Sequence, residues 1–335
     1  MQLLADGTDP TTLSYWLTWR VLLCFIWILW SMLVGSYVIW KYEPFDCLES
    51  DGRQRTSNEI SYYTRSWNPC LKPIHPILFM SFRIISFCLL LVALSFDVAV
   101  HGFELFYYYT QWTFSLCVIY FGFASFLSIH GCFQYPKINN HSKCHVPDDM
   151  EKGLYTPISN EAVDSEVKLS ERLNHPRKFH HVLQTSEFWG YLFQVLFQIT
   201  AGAVTLTDVV YWCVIVPFLS IRDYEMSLLT VLAHSLGAVL LLGDTALNSL
   251  RFPWFRISYF LLWTCIYVIF QWMLHAFVSI WWPYPYLDLS KSQAPLWYLV
   301  VALMHIPCYG IFLLIVKMKH FMMPKLFPTC YQCSP

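Results

Sequence analysis

Charge is scarce in this sequence. Asp, Glu, Lys and Arg make up 13% of its 335 residues, where an ordinary soluble domain carries about 25%. The net charge is −1, and no basic patch with interleaved aromatics occurs, so nucleic acid is not an expected partner. A basic n-region is also missing ahead of the first apolar run, where Asp6 and Asp9 stand instead. A cleavable signal peptide is therefore not expected, and the first span should stay in the mature protein. Internal repeats and low-complexity tracts are lacking too.

Apolar residues fill the space that charge leaves. The chain is 56% hydrophobic and 19% aromatic, with 15 Trp and 21 Tyr, a composition suited to interfacial aromatic belts. Seven runs are long enough to cross a bilayer: about 16–40, 78–99, 106–129, 188–217, 227–250, 257–281 and 295–317. The expected fold class is all-α, a polytopic transmembrane helix bundle of about seven spans. The fourth run is the longest and is expected to tilt or break near Pro217. The expected layout is an N-terminus over 1–15, spans one to three over 16–129 with a loop at 41–77, a polar loop over 130–186, spans four to seven over 187–317, and a tail over 318–335. The loop at 130–186 is poor in aromatics and mixed in charge, so much of 140–175 should be flexible.

Basic residues set the expected orientation. Loop 41–77 holds Lys41, Arg53, Arg55, Arg65 and Lys72, and loop 130–186 holds Lys137, Lys143, Lys152, Lys168, Arg172, Arg177 and Lys178. Arg251, Arg256, Lys317, Lys319 and Lys325 fall on the same side, against Arg222 and Lys291 opposite. The positive-inside rule makes the richer side cytoplasmic. The N-terminus is then outside or lumenal and the C-terminus cytoplasmic, in the plasma membrane or endoplasmic reticulum. The opposite loops carry no cysteine, so no disulfide framework is implied. Cys330-Tyr-Gln-Cys333 is a lone CxxC, open to an idle pair, to palmitoylation or to zinc.

Polar stripes on the spans mark the candidate chemistry, because lipid cannot satisfy them. Thr230, His234, Thr245 and Asn248 share one side of a helix read as continuous over 226–250. Gln194, Gln198, Thr205 and Asp208 share a face of span four; Thr264, Gln271 and His275 share one on span six; Thr110, Thr113, Cys117 and Tyr120 share one on span three. Packed membrane helices use such groups routinely as interhelical hydrogen bonds. Depth separates four of them. Thr113, His234, His275 and Asp208 lie ~10, ~10, ~9 and ~13 Å from the lumenal ends of their spans, at 1.5 Å rise per residue. One hydroxyl, two imidazoles and one carboxylate supply a nucleophile, a general base and an orienting group. These four are the expected catalytic residues, with Thr113 and His234 converging to within ~5 Å if they form a dyad. Their spacing is not diagnostic of a metal site, and no cofactor is expected.

The segment HSLGAVLLLGDTALNSLRFPW from His234, the span ending QWMLHAFVSIWWPYPYLDL, and YYTQWTF at 108–114 resemble the androgen-induced protein family of multi-span membrane hydrolases. The extra N-terminal span, the long second polar loop and Tyr-Thr-x-Trp-Thr-Phe look more like its rolling stone-like branch. The resemblance covers about 75–330. It implies cleavage of fatty acid esters of hydroxy fatty acids by an intramembrane Thr and a His, matched here by Thr113 and His234, with Thr110 as the alternative Thr. Ala233 stands before His234 where those hydrolases carry Asn. Three functions follow as expectations. The first is a non-enzymatic rolling stone-like role in membrane organisation, adhesion or fusion. The second is an intramembrane threonine hydrolase of long-chain fatty acid esters. The third is a transporter or receptor, although Ser128-Ile129-His130 replaces the acidic-Arg-Tyr signature after span three and span seven has no Asn-Pro-x-x-Tyr. Membrane lipids, with long-chain acyl esters in the second reading, are the expected partners.

Overall fold

A computed structural model describes residues 9–54, 62–142, 176–216 and 228–331; side chains are described within 9–44, 62–133, 187–213 and 230–331, and at 216. Among the described residues the regular structure is helical, with no strand and one isolated bridge, Leu71 to Tyr331. The helices are α1 (Leu13–Trp16), α2 (Trp19–Gln54), α3 (Tyr62–Trp67), α4 (Pro76–His101), α5 (Tyr109–Ser142), α6 (Pro176–Val210), α7 (Leu228–Ala233), α8 (Leu236–Leu247), α9 (Ile257–Phe277) and α10 (Ala294–Leu326). Seven segments are long and apolar enough to cross a membrane, carried by α2, α4, α5, α6, the α7–α8 pair, α9 and α10.

Local chemistry explains several boundaries. Pro76 opens α4 at a position whose N–H needs no partner, and the His75 side chain caps the Ile77 N–H. Gly102, at φ 73°, ends the same helix in a conformation that glycine adopts without a Cβ clash. Both α5 and α6 run further into the polar connection than the apolar pattern indicated, to Ser142 and from Pro176. The stretch expected to be flexible, 140–175, otherwise lies outside the described residues, as does Pro217.

The centre of the bundle is α6, whose span is 67% buried. It packs against α3, α5, α9 and α10, while α4 lies on α5 and α2 lies on α9 and α10. Close approach of α9 depends on Gly202, where an added Cβ would sit 2.6 Å from the Phe260 ring. By contrast, α2 is 11% buried in its span and presents Trp19, Phe25, Trp30 and Trp40 outward. An apolar surface of that extent is compatible with burial against lipid.

Candidate functional site

The helix read as continuous over 226–250 is broken. Its first part, α7, ends at Ala233, and α8 begins at Leu236. At the break the backbone tightens: the Ser235 N–H bonds Leu232 O, three residues back, and Ser235 leaves helical geometry at φ −138°. Ser235 and Gly237 are weaker helix formers than their neighbours, and Gly237 lets Cys117 approach, with a built Cβ only 3.2 Å from the Cys117 sulfur. Facing the break, α6 passes into a π turn over Tyr211–Ile215, short of the expected Pro217. Turns of this kind recur at functional sites.

His234 sits at the break and Asp208 one turn before the π turn. Their Nδ1 and Oδ1 atoms are 4.0 Å apart. The imidazole stacks on Tyr211 at 3.7 Å and 4°, and Trp212 Nε1 donates to the His234 carbonyl at 3.1 Å. The Nδ1 atom itself is buried without a hydrogen bond. Thr113 does not join it. The Thr207 hydroxyl donates to Ala203 O at 2.8 Å, so the Thr113 hydroxyl, 3.1 Å away, must donate to Thr207. The Thr113 proton therefore points at a threonine and not at His234, and no hydrogen bond joins the expected hydroxyl-to-imidazole dyad. His275 is held elsewhere, its Nδ1 bonded to Gln271 O at 2.7 Å and its ring stacked on Trp282 at 3.7 Å. The structure thus joins Asp208 with His234, places Thr113 one hydrogen bond from the neighbour of Asp208, and leaves His275 in separate packing.

A different Thr and His do meet. His305 on α10 lies 2.8 Å from Val301 O through Nδ1 and 2.8 Å from Thr264 Oγ1 through Nε2. A carbonyl only accepts, so Nδ1 carries the proton, and in the uncharged ring Nε2 presents its lone pair. The Thr264 hydroxyl then donates to Nε2; its alternative acceptor, Phe260 O, is at 3.4 Å and too long to compete. Tyr109 O–H, at 2.9 Å, donates in turn to Thr264. The result is a directed chain, Tyr109 to Thr264 to His305, with the tautomer fixed by a backbone carbonyl. Three helices supply it: α5, α9 and α10. Phe260 packs on the imidazole at 4.3 Å and holds its plane.

An apolar cleft adjoins this chain, about 460 Å³ including the space open to its surroundings. Thr264 and His305 form part of its wall, with Ile28 and Ser31 of α2, Val268 of α9 and Ala302 of α10. Its other end reaches Tyr286, Trp297 and Tyr298 at the segment joining α9 to α10. From Trp297 to His305 is eight residues of helix, ~12 Å. Tyr298 is fixed there by Trp272, which donates to its hydroxyl, and by Leu287 O, which accepts from it.

Thr264 belongs to a polar stripe of the sequence, whereas His305, the imidazole near the middle of the last span, belongs to none. The available signal was depth: an ionisable side chain near midspan marks a site by default. Among the described residues no three His, Cys, Asp or Glu side chains converge closely enough to hold a metal ion. Comparison with family models, with curated proteins and with solved structures returns no match.

Proposed function

We propose that this seven-span protein is an intramembrane hydrolase of long-chain acyl esters, with Thr264 as nucleophile and His305 as general base. The observation that carries the reading is the 2.8 Å Thr264-to-His305 hydrogen bond in the wall of an apolar cleft. Threonine is a weak nucleophile unless a base within hydrogen-bond reach takes its proton, and His305 Nε2 occupies that position. The acyl chain lies in the cleft and its carbonyl carbon meets Thr264 Oγ1. Attack transfers the hydroxyl proton to Nε2, and His305 returns it to the departing alkoxide, which leaves as an alcohol. Water then enters along the cleft, gives a proton to Nε2 and attacks the acyl-threonine. The acid is released and the proton passes back to Thr264. Tyr109 O–H, which donates to Thr264 Oγ1 at 2.9 Å in the resting site, turns to the carbonyl oxygen on attack and supplies the oxyanion donor, the role that usually contributes most to acyl transfer. The Nδ1–H bond to Val301 O orients the ring throughout, as a buried carboxylate does in other triads.

The proposed setting keeps the N-terminus outside or lumenal and the C-terminus cytoplasmic, supported by the basic residues of the 41–77 and 130–186 loops. The test is turnover of long-chain acyl esters by the purified full chain in lipid. Thr264→Ala and His305→Ala should each abolish it, and the double variant should be little worse than either, because the two act as one unit. Thr113→Ala should retain it. Absence of turnover in the parent protein would leave the rolling stone-like role in membrane organisation as the standing proposal.

A further inference from the structure

The Asp208–His234 pair is not used by the chemistry above. It sits at a separate place, between the π turn after α6 and the break between α7 and α8. The imidazole is held by its neighbours, yet the two groups do not satisfy each other. Tyr211 stacking and the Trp212 bond to the His234 carbonyl fix the imidazole in direction. Nδ1 is buried and makes no hydrogen bond, and its 4.0 Å to Asp208 Oδ1 is too long to be one. Among the described residues, no hydrogen-bond donor or cation other than His234 engages the Asp208 carboxylate. Its side chain is 20% exposed, against 9% for His234, so the carboxylate is the open side of the pair.

We propose that Asp208 and His234 form a binding site for a primary ammonium group. The geometry favours it. In the Nε2–H tautomer, Nδ1 is an acceptor, so the site offers two acceptors 4.0 Å apart. One nitrogen donating two bonds of about 2.8 Å at a near-tetrahedral angle reaches acceptors about 4.5 Å apart. A quaternary ammonium has no N–H to give and fits the two acceptors poorly. An anion is repelled by the carboxylate. A carboxylate within a membrane span calls for one compensating positive charge, which the ligand supplies. Asp208 lies five residues from the end of its span and His234 four from the start of its own, so the site is ~6–8 Å deep, within reach of a lipid headgroup. The shared chemistry is the ammonium; its source is either an ethanolamine-type lipid headgroup or a soluble alkylamine.

The experiment is a thermal-shift and native mass-spectrometry series on the purified full chain. It compares phosphatidylethanolamine, phosphatidylcholine of the same acyl chains, and octylamine. The ethanolamine lipid should bind at least about tenfold more tightly than the choline lipid, the size of effect expected when charge-assisted hydrogen bonds are lost, and should raise the melting temperature. Asp208→Asn should remove that preference while leaving the melting temperature in the choline lipid unchanged. His234→Phe, which keeps the stack on Tyr211 but loses Nδ1, should weaken the preference. A response to octylamine alone, also lost in Asp208→Asn, supports the site and assigns its ligand to soluble amines. Equal binding of all three ligands, or a preference that survives Asp208→Asn, overturns the proposal. None of these outcomes depends on ester turnover.

Discussion

Arg83 on α4 and Asp244 on α8 are fully buried and joined by two hydrogen bonds, Nε to Oδ1 at 2.7 Å and Nη2 to Oδ2 at 3.4 Å. Further hydrogen bonds surround the pair. Arg83 Nη1 donates to Ser66 O and Ser128 Oγ, while Asp244 Oδ2 accepts from Tyr120 at 2.5 Å and from Asn248 at 3.0 Å. Phe79 lies 4.0 Å from the guanidinium. The network ties α3, α4, α5 and α8 together at the end of the bundle opposite Thr113 and His234.

Breaking this pair from one side should be costly. Asp244→Asn leaves Arg83 charged and buried without its counter-ion, and a loss of about 3–5 kcal/mol is expected. Replacing both partners with apolar residues of similar volume should be milder than either single change. Thermal unfolding of the three variants in detergent, set against the parent, checks this. A single Asp244→Asn that melts with the parent would show that the pair does not hold the bundle.

The cleft should act as a measure of chain length. Its lining residues run over ~12 Å of α10, from Trp297 to His305, and each CH₂ buried against them adds about 0.8 kcal/mol of binding. Long-chain esters should therefore be turned over with a higher kcat/KM than acetyl esters. Ala302→Phe fills the wall of the cleft and should lower long-chain turnover at least tenfold while sparing acetyl esters. Equal loss on both substrates would mean that the chain does not lie there.

Orientation is open to a direct check. Asn140-His141-Ser142 is an N-glycosylation sequon at the end of α5 that the positive-inside rule places in the cytosol. It should stay unmodified when the protein is expressed in mammalian cells. An endoglycosidase-sensitive shift that disappears in Asn140→Gln would invert the topology.

Span number and fold class were legible because a bilayer imposes a long apolar run on every crossing, a purely local signal. The Asp208–His234 neighbourhood was partly legible, since both residues stood on polar stripes at similar depth. The break at Ser235 was not, because apolar periodicity continues through it and the close packing of Gly237 on Cys117 is a tertiary contact. Asp244 was within reach: fourteen residues after Thr230, it lies about 40° from it around a helix at 100° per residue, on the stripe already traced. With Arg83 as the matching cation in another span, the two implied a pair. The Thr264–His305 contact was hidden for another reason. Thr264 sits among ordinary stripe residues and His305 in an apolar stretch of α10, so only the way α9 and α10 pack brings them together.

The central claim is that Thr264 is the activated hydroxyl, and a covalent adduct tests it most directly. The full-length protein in lipid is treated with a long-chain fluorophosphonate, digested, and the modified peptide is sequenced by mass spectrometry. Label is expected on Thr264, absent in Thr264→Ala and in His305→Ala and retained in Thr113→Ala. Label on Thr113 that depends on His234, or no label on the parent protein, contradicts it.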